Sequence, residues 1–292
     1  MLRGLYTASA GMVTQQRIHD TVTQNISNIN TTGYKQVNSV ARSFPELFIS
    51  AIGGDQPGSR PIGKMNSGVF AEESLSSFTQ GDLRETGKST DFALISSLGL
   101  QNPATGQNYV FDASGKSVQD DGSVVYRPQA FFTVQDDQGK ELYTRDGSFH
   151  VNAAGQLLSA EGYEVLGADG NPVTIDGAVD RLKVDEEGYI LNDDGTRSGV
   201  QLRISVATQP NQLVRDGHGV FEAPDAAAAG IRLLQNGDAL QVRQGSIEGS
   251  NVDTAQSMVD LMAAQRAYEA NQQIIQYYDR SLDKAVNDIG RV

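Results

Sequence analysis

The stretch "GDLRETGKS" at residues 81–89 comes nearest to a phosphate-binding loop. Such a loop keeps a fixed spacing of four residues between its first glycine and the Gly-Lys pair, so that backbone amides wrap a phosphate where a helix begins. Here five residues separate Gly81 from Gly87, and the "TDFALIS" that follows reads as a strand. The acidic turns "DDG", "DEEG" and "NDDG" suggest calcium, yet none has alternating oxygen ligands followed by a glutamate at the required distance. Asp-Gly is also the pair that hairpin turns select. His19 falls in a helical pattern, His150 in a strand and His218 in a glycine turn, and no metalloprotease or nucleophile-elbow pattern surrounds any of them. Nothing singles out a carboxylate pair for glycoside hydrolysis. No catalytic residue, cofactor site or metal site is expected.

Composition narrows the partners. The net charge is -13, but residues 1–50 are mildly basic, with Arg3, Arg17, Lys35 and Arg42 against Asp20 and Glu46. Nearly all the acidic excess lies in the middle, and no basic stripe exists to displace counterions, so nucleic acid is not an expected partner. Neither is a small-molecule substrate. Cysteine is absent, and a chain without thiols can enter an oxidising space without mispairing. No stretch approaches the ~18–20 apolar residues that cross a bilayer. The first residues show neither an apolar run nor a cleavage site of the signal-peptide kind. Any export is therefore expected to need no cleaved signal.

The elements that remain are unlike at the ends and in the middle. Steps of three and four from residue 5 collect Leu5, Ala8, Met12, Gln15, His19, Val22, Ile26 and Ile29, a heptad seam with two polar members. Gly33 then supplies a helix stop. At the other end Met258, Leu261, Gln265, Tyr268, Gln272, Ile275, Asp279 and Leu282 form a second seam, with Ala263, Ala267, Ala270, Ile274 and Tyr277 as an apolar stripe beside it. Asn251 and Asp253 are candidate N-caps. Two stripes are more than one partner helix needs. Between the ends, "AIGGDQPGSRPIGKMNSG" (51–68) reads as an extended, irregular linker. Beyond residue 91, Asp146-Gly147, Ala154-Gly155, Glu161-Gly162, Asp169-Gly170 and Asp176-Gly177 punctuate short strands such as "SFHV", "QLLS" and "YEVLG". "GVQLRISVA" (199–207) is the longest strand candidate.

The pattern predicts an α+β fold: long terminal helices pairing as a coiled-coil-like domain, extended linkers and a β-rich centre of hairpins. The expected division assigns 1–34 and 251–292 to the helical domain and 35–90 and 235–250 to the linking segments. The β-rich domain takes 91–234, with an insertion near 95–130.

Four stretches carry a family resemblance: "NISNINTTGYK" (25–35), "FTQGDLRETGK" (78–88), "YTRDGSFHVNAAGQLLSAEGYEVLG" (143–167) and "QGSIEGSNVDTAQSMVDLMAAQRAYEANQQIIQ" (244–276). In order and position they resemble the signatures of bacterial flagellar rod and hook proteins. The segment from "RSFPELFIS" to "FTQGDL" is most similar to the distal-rod type, including the paired rod-type proteins of Gram-positive bacteria. The resemblance implies a non-catalytic subunit of the rod, carried out by the flagellar type III export apparatus. Its partners would be copies of itself in a helical polymer and other rod and hook proteins. Subunit contacts would then fall on Leu5, Ala8, Met12, Val22, Ile26 and Ile29 of the first seam. Asn28, Asn30, Gly33 and Tyr34 would join them at its exit, and Gly249, Asn251 and Val252 on the return. On the second seam they would be Met258, Leu261, Gln265, Ala267, Tyr268, Ile275 and Leu282. The alternative class is a β-rich surface or adhesin protein on a coiled-coil stalk; a wall-cleaving enzyme is a further rival.

Overall fold

A computed structural model describes residues 2–51, 60–72, 74–101, 106–112, 115–119, 121–175, 179–192, 194–235 and 237–289. The chain divides into two compact units, one built from Met1–Ser27, Val37–Leu75 and Asp253–Val292, the other from Asn28–Gln36 and Ser76–Val252.

The first unit holds both long helices, α1 (Leu2–Ser27) and α2 (Thr254–Lys284), the latter running on into a π-helical turn, Ala285–Ile289. Asp253 caps α2, its side chain accepting from the Gln256 amide. The helices pair antiparallel: Gly4 of α1 packs directly against the Tyr278 ring, and a Cβ on Gly11 would lie 3.1 Å from the Asn271 amide. Glycine lets the two backbones approach where any side chain would hold them apart. In α1 the hydroxyls of Thr14, Thr21, Thr23 and Ser27 each donate to the carbonyl four residues back. Such bonds add little to a helix and tend to bend it, so α1 depends on packing rather than on propensity.

The region expected to be an irregular linker is largely paired. Ala41–Ser43 pairs with Val69–Ala71 and Leu47–Ala51 with Arg60–Met65, forming an antiparallel ribbon with one irregularity near Ile49. Alternating β-formers on both sides of the glycines and prolines outweigh those breakers. The breakers of 52–59 lie outside the described residues. The ribbon lies along α1, where Thr7 donates to the Ser67 carbonyl and Thr14 to that of Val69.

The second unit is built around the strand Gln129–Gln135, buried from Gln129 through Val134. One edge pairs with Glu141–Thr144; the other pairs with Ile204–Ala207 and then with Glu164–Val165. Its alternate faces serve two cores. Ala130, Phe132 and Val134 join Phe92, Leu94 and Phe149 in the larger, while Phe131 meets Phe78, Tyr143 and Phe221 in the smaller. A continuous apolar run is what a strand covered on both faces requires. The strand Phe92–Ser96 pairs with Leu240–Gln244 across most of the sequence of this unit.

Two strand expectations need correction. "GVQLRISVA" is two strands, Arg197–Gln201 and Ile204–Ala207, because the first pairs with Tyr189–Leu191 and the second with the central strand. Asp146-Gly147 is no hairpin turn: Gly147 is pressed against the Phe92 carbonyl, which leaves no room for a Cβ. Gly155, Gly162 and Gly170 do take the left-handed conformation of turns, at φ of 81°, 92° and 83°. Asp176-Gly177 lies outside the described residues. Within the insertion, Lys116–Val118 and Val124–Tyr126 form a separate hairpin.

Phe132, with no exposed surface, should be costly to truncate. Phe132→Ala is expected to lower stability by about 3–5 kcal/mol, while Val214→Ala, at an exposed strand position, should stay within about 0.5 kcal/mol. Urea unfolding of both variants checks the contrast.

Candidate assembly surfaces and the buried junction

The structure first disposes of the enzyme-like features. Gly81 and Gly87 flank the strand Leu83–Glu85, and Phe92–Ser96 is also a strand, so no helix N-terminus stands ready for a phosphate. Gly81 instead packs directly on the Gly249 carbonyl. The acidic turns fold as side-chain-capped loops: the Asp136, Asp185 and Asp194 carboxylates accept from backbone amides two to four residues on. Among the described residues no group of three or more His, Cys, Asp or Glu could hold a metal ion. No described helix is long and apolar enough to cross a membrane.

What the structure brings together instead is one residue from each of three resemblance stretches, closed off from water. The Glu248 carboxylate accepts through Oε1 from Lys35 Nζ at 2.6 Å and the Gly81 amide at 2.9 Å, and through Oε2 from Arg145 Nε at 2.8 Å. Lys35 also donates to the Thr79 carbonyl, and Arg145 to the carbonyls of Ala130 and Leu94. Lys35 and Arg145 side chains have no exposed surface, and Glu248 has 1%. Thr79 and Gly81 come from the fourth stretch, "FTQGDLRETGK", so all four meet here.

The electrostatics are those of two buried cations sharing one anion. Burial pushes the Glu248 carboxyl up, but Arg145 and Lys35, with the hydrogen bonds from Lys35 and Gly81, outweigh it and hold the group below its ordinary range. Burial and the neighbouring Arg145 guanidinium pull Lys35 down to about 8, against the attraction of Glu248.

Around this cluster the outgoing and returning chain are laced together. Gly33, at φ 66°, donates its amide to the Glu248 carbonyl. Asn251 accepts from the Gln36 amide and donates to the Ser77 and Thr79 carbonyls. Arg215 donates to the Lys35 carbonyl and lies over the Tyr34 ring at 4.5 Å. Lys35, Arg145 and Glu248 escaped the sequence reading. The available signal was a lone charge within each neutral stretch, "TGYK", "YTRDG" and "SIEGS".

The residues expected at subunit contacts separate into classes. Ala8, Val22, Gly33, Tyr34 and Val252 are buried within the chain. Leu5, Met12, Ile26, Asn28, Ile29, Gly249, Asn251, Leu261, Ala267, Tyr268, Ile275 and Leu282 are half-buried, and Asn30, Met258 and Gln265 exposed. α1 ends at Ser27, so Ile29 lies beyond its last turn. Asn25 helps to end it: its amide donates to the Val37 carbonyl and accepts the Val37 amide. The Asn28 side chain accepts from the Thr31 hydroxyl. On α2 the buried residues are Ser257 and Ala264. Met258, Val259, Met262, Ile274 and Tyr277 are exposed, and much of the second apolar stripe faces solvent.

The junction sets the expected response to pH and mutation. Glu248, held below its ordinary value of 4.5, contributes stability that is lost as pH falls below that value. Lys35 has the opposite sign: between about 8 and 10.5 the unfolded chain keeps a proton that the folded chain has released, so stability rises through that window. Glu248→Gln strands two buried cations and should cost about 3–5 kcal/mol. Lys35→Met leaves the balanced Arg145–Glu248 pair, so it should cost clearly less and abolish the alkaline rise. Urea titrations across pH check both. Equal losses for the two variants would contradict the shared-anion account.

Comparison with known proteins matches these stretches to three families. Residues 5–35 match the flagella basal body rod protein family, 128–192 the flagellar hook protein FlgE/F/G D1 domain, and 243–288 the flagellar basal body rod FlgEFG protein C-terminal family. Similar over their whole length is the flagellar hook-basal body complex protein FlhO of Bacillus subtilis (strain 168), 33% identical with 100% of each chain covered. The flagellar basal-body rod protein FlgG of Borreliella burgdorferi is 28% identical, with 98% of each covered. FlgF of Caulobacter vibrioides, also a flagellar basal-body rod protein, is 28% identical with 100% of each covered. With its helical ends paired, its β-rich centre and this end-to-end similarity, the chain belongs to the flagellar basal-body rod and hook protein family.

Proposed function

We propose that the chain is a structural subunit of the flagellar rod, of the distal type. It polymerises through its terminal helices into a helical shaft that transmits torque to the hook. The observation that carries this reading is the solvent-facing apolar stripe of α2. A helix already paired through Ser257 and Ala264 still exposes Met258, Val259, Met262, Ile274 and Tyr277. Exposed apolar surface of this extent marks a protein contact. The ribbon adds to it, with Leu47, Phe48 and Ile62 exposed on a two-stranded sheet, and a two-stranded sheet is marginal without a neighbour.

In this reading residues 1–34 and 251–292 supply the inner helical layer, 35–90 and 235–250 the connecting segments, and 91–234 the outer β-rich domain. The chain leaves the cytoplasm through the flagellar type III export apparatus without a cleaved signal and joins the basal body. Its partners are copies of itself and other rod and hook proteins. A stalked surface protein would use its seam to form a stable dimer or trimer. Here the seam is occupied within the chain by α1 and α2, which favours the rod subunit.

Met258→Asp tests the assignment, because Met258 is exposed and near the start of α2, where a carboxylate suits the helix dipole. Unfolding of the purified variant should match the parent within about 0.5 kcal/mol. Cells carrying it in place of the parent should fail to swim and should lack a completed rod. Normal swimming would contradict the assignment of this stripe to assembly.

A further inference from the structure

Within the helical unit, α1 and the ribbon enclose an open groove of about 440 Å³ whose lining includes Tyr6, Val13, Arg17, Phe44 and Phe70. Tyr6 is 70% exposed and Val13 53%, and the Phe44 and Phe70 rings lie 5.1 Å apart. The groove is thus aromatic and aliphatic. Its one charged lining residue is Arg17, which has no ion-pair partner among the described residues.

The chain's own α2 does not face this groove. α2 meets α1 at Gly4 and Gly11, and Val13, two residues on from Gly11, lies roughly 200° around the helix. The same step separates Met262 from the buried Ala264. Groove and stripe therefore both turn away from the seam inside the chain, each without an occupant.

We infer that the groove of one copy receives the Met258–Val259–Met262 stripe of a second copy of this chain. This inference rests on the rod-subunit reading and names its contact. The chemistry matches on three counts. The stripe is more than half exposed at each of these positions and brings two thioethers, which adapt to irregular gaps and pack well against aromatic rings. The exposed carboxylates of Asp253 and Glu269 flank it, and neither pairs with a cation among the described residues; Arg17 supplies the opposite charge. Finally, groove and stripe are different surfaces of one chain. A contact between unlike surfaces repeats head to tail, and when its rotation does not close, the product is an open helical filament.

The absence of cysteine makes the contact directly testable. A strain lacking the gene is supplied with the Val13→Cys/Met262→Cys chain or with either single variant. Whole cells are treated with a thiol oxidant and the chain is followed by immunoblot. The double variant should give a ladder of dimers, trimers and higher species, and each single variant only monomer. Monomer alone from the double variant in cells that swim overturns this contact and leaves the rod reading standing. Dimers from a single variant overturn the head-to-tail geometry. Normal swimming in the strain lacking the gene removes the rod reading, while the ladder still decides the contact.

Discussion

Glu248 holds Lys35 and Arg145 in a site closed to water, and the rest of the second unit is arranged around that constraint. The cations come from residues 35 and 145 and the anion from residue 248, so no part of the cluster is satisfied until all three stretches have docked. Buried ion clusters of this kind add little net stability over apolar packing, but they penalise wrong docking heavily. An apolar plug would tolerate a slip of the chain by one residue. A carboxylate that must also accept the Gly81 amide does not. The junction is best understood as a device for register, placing the exit after Gly33 and the return through Asn251 side by side.

How much of this was legible in the sequence depends on which residues do the packing. Both helices, the Gly33 stop and the Asp253 cap could be read from periodicity and local chemistry. Half of each seam could be read as well: Ala8 and Val22 on α1 are buried, and Leu261, Tyr268, Ile275 and Leu282 on α2 are half-buried. The other half sits one residue away. Gly4, Gly11 and Asn25 occupy it on α1, and Ser257, Ala264 and Asn271 on α2. A count of apolar side chains passes over these positions because they are small or polar. Small size is what lets the backbones close, with Gly4 against Tyr278.

In the β-rich unit the turn chemistry was the readable part, as Gly155, Gly162 and Gly170 illustrate. Pairing between distant strands was not readable, because nothing local marks Leu240–Gln244 as the partner of Phe92–Ser96. The junction was the least legible feature. Its charges are far apart in sequence, and each stretch alone looks like a neutral turn with one solvated ion. The family resemblance singled out the right stretches without revealing that a single carboxylate joins them.

A chain that satisfies its own charges so completely while leaving a row of apolar side chains in water has a part of its packing still to be completed by other molecules. The thioethers of Met258 and Met262 report on this directly, since exposed methionine oxidises to the sulfoxide readily and covered methionine slowly. The decisive measurement is the rate of oxidation at these two residues, by mass spectrometry, in the free chain and in isolated hook-basal bodies. The account requires ready oxidation in the free chain and a rate at least several-fold lower once assembled. Equal rates in the two states would show that the stripe stays in water, and would contradict its role as the assembly surface.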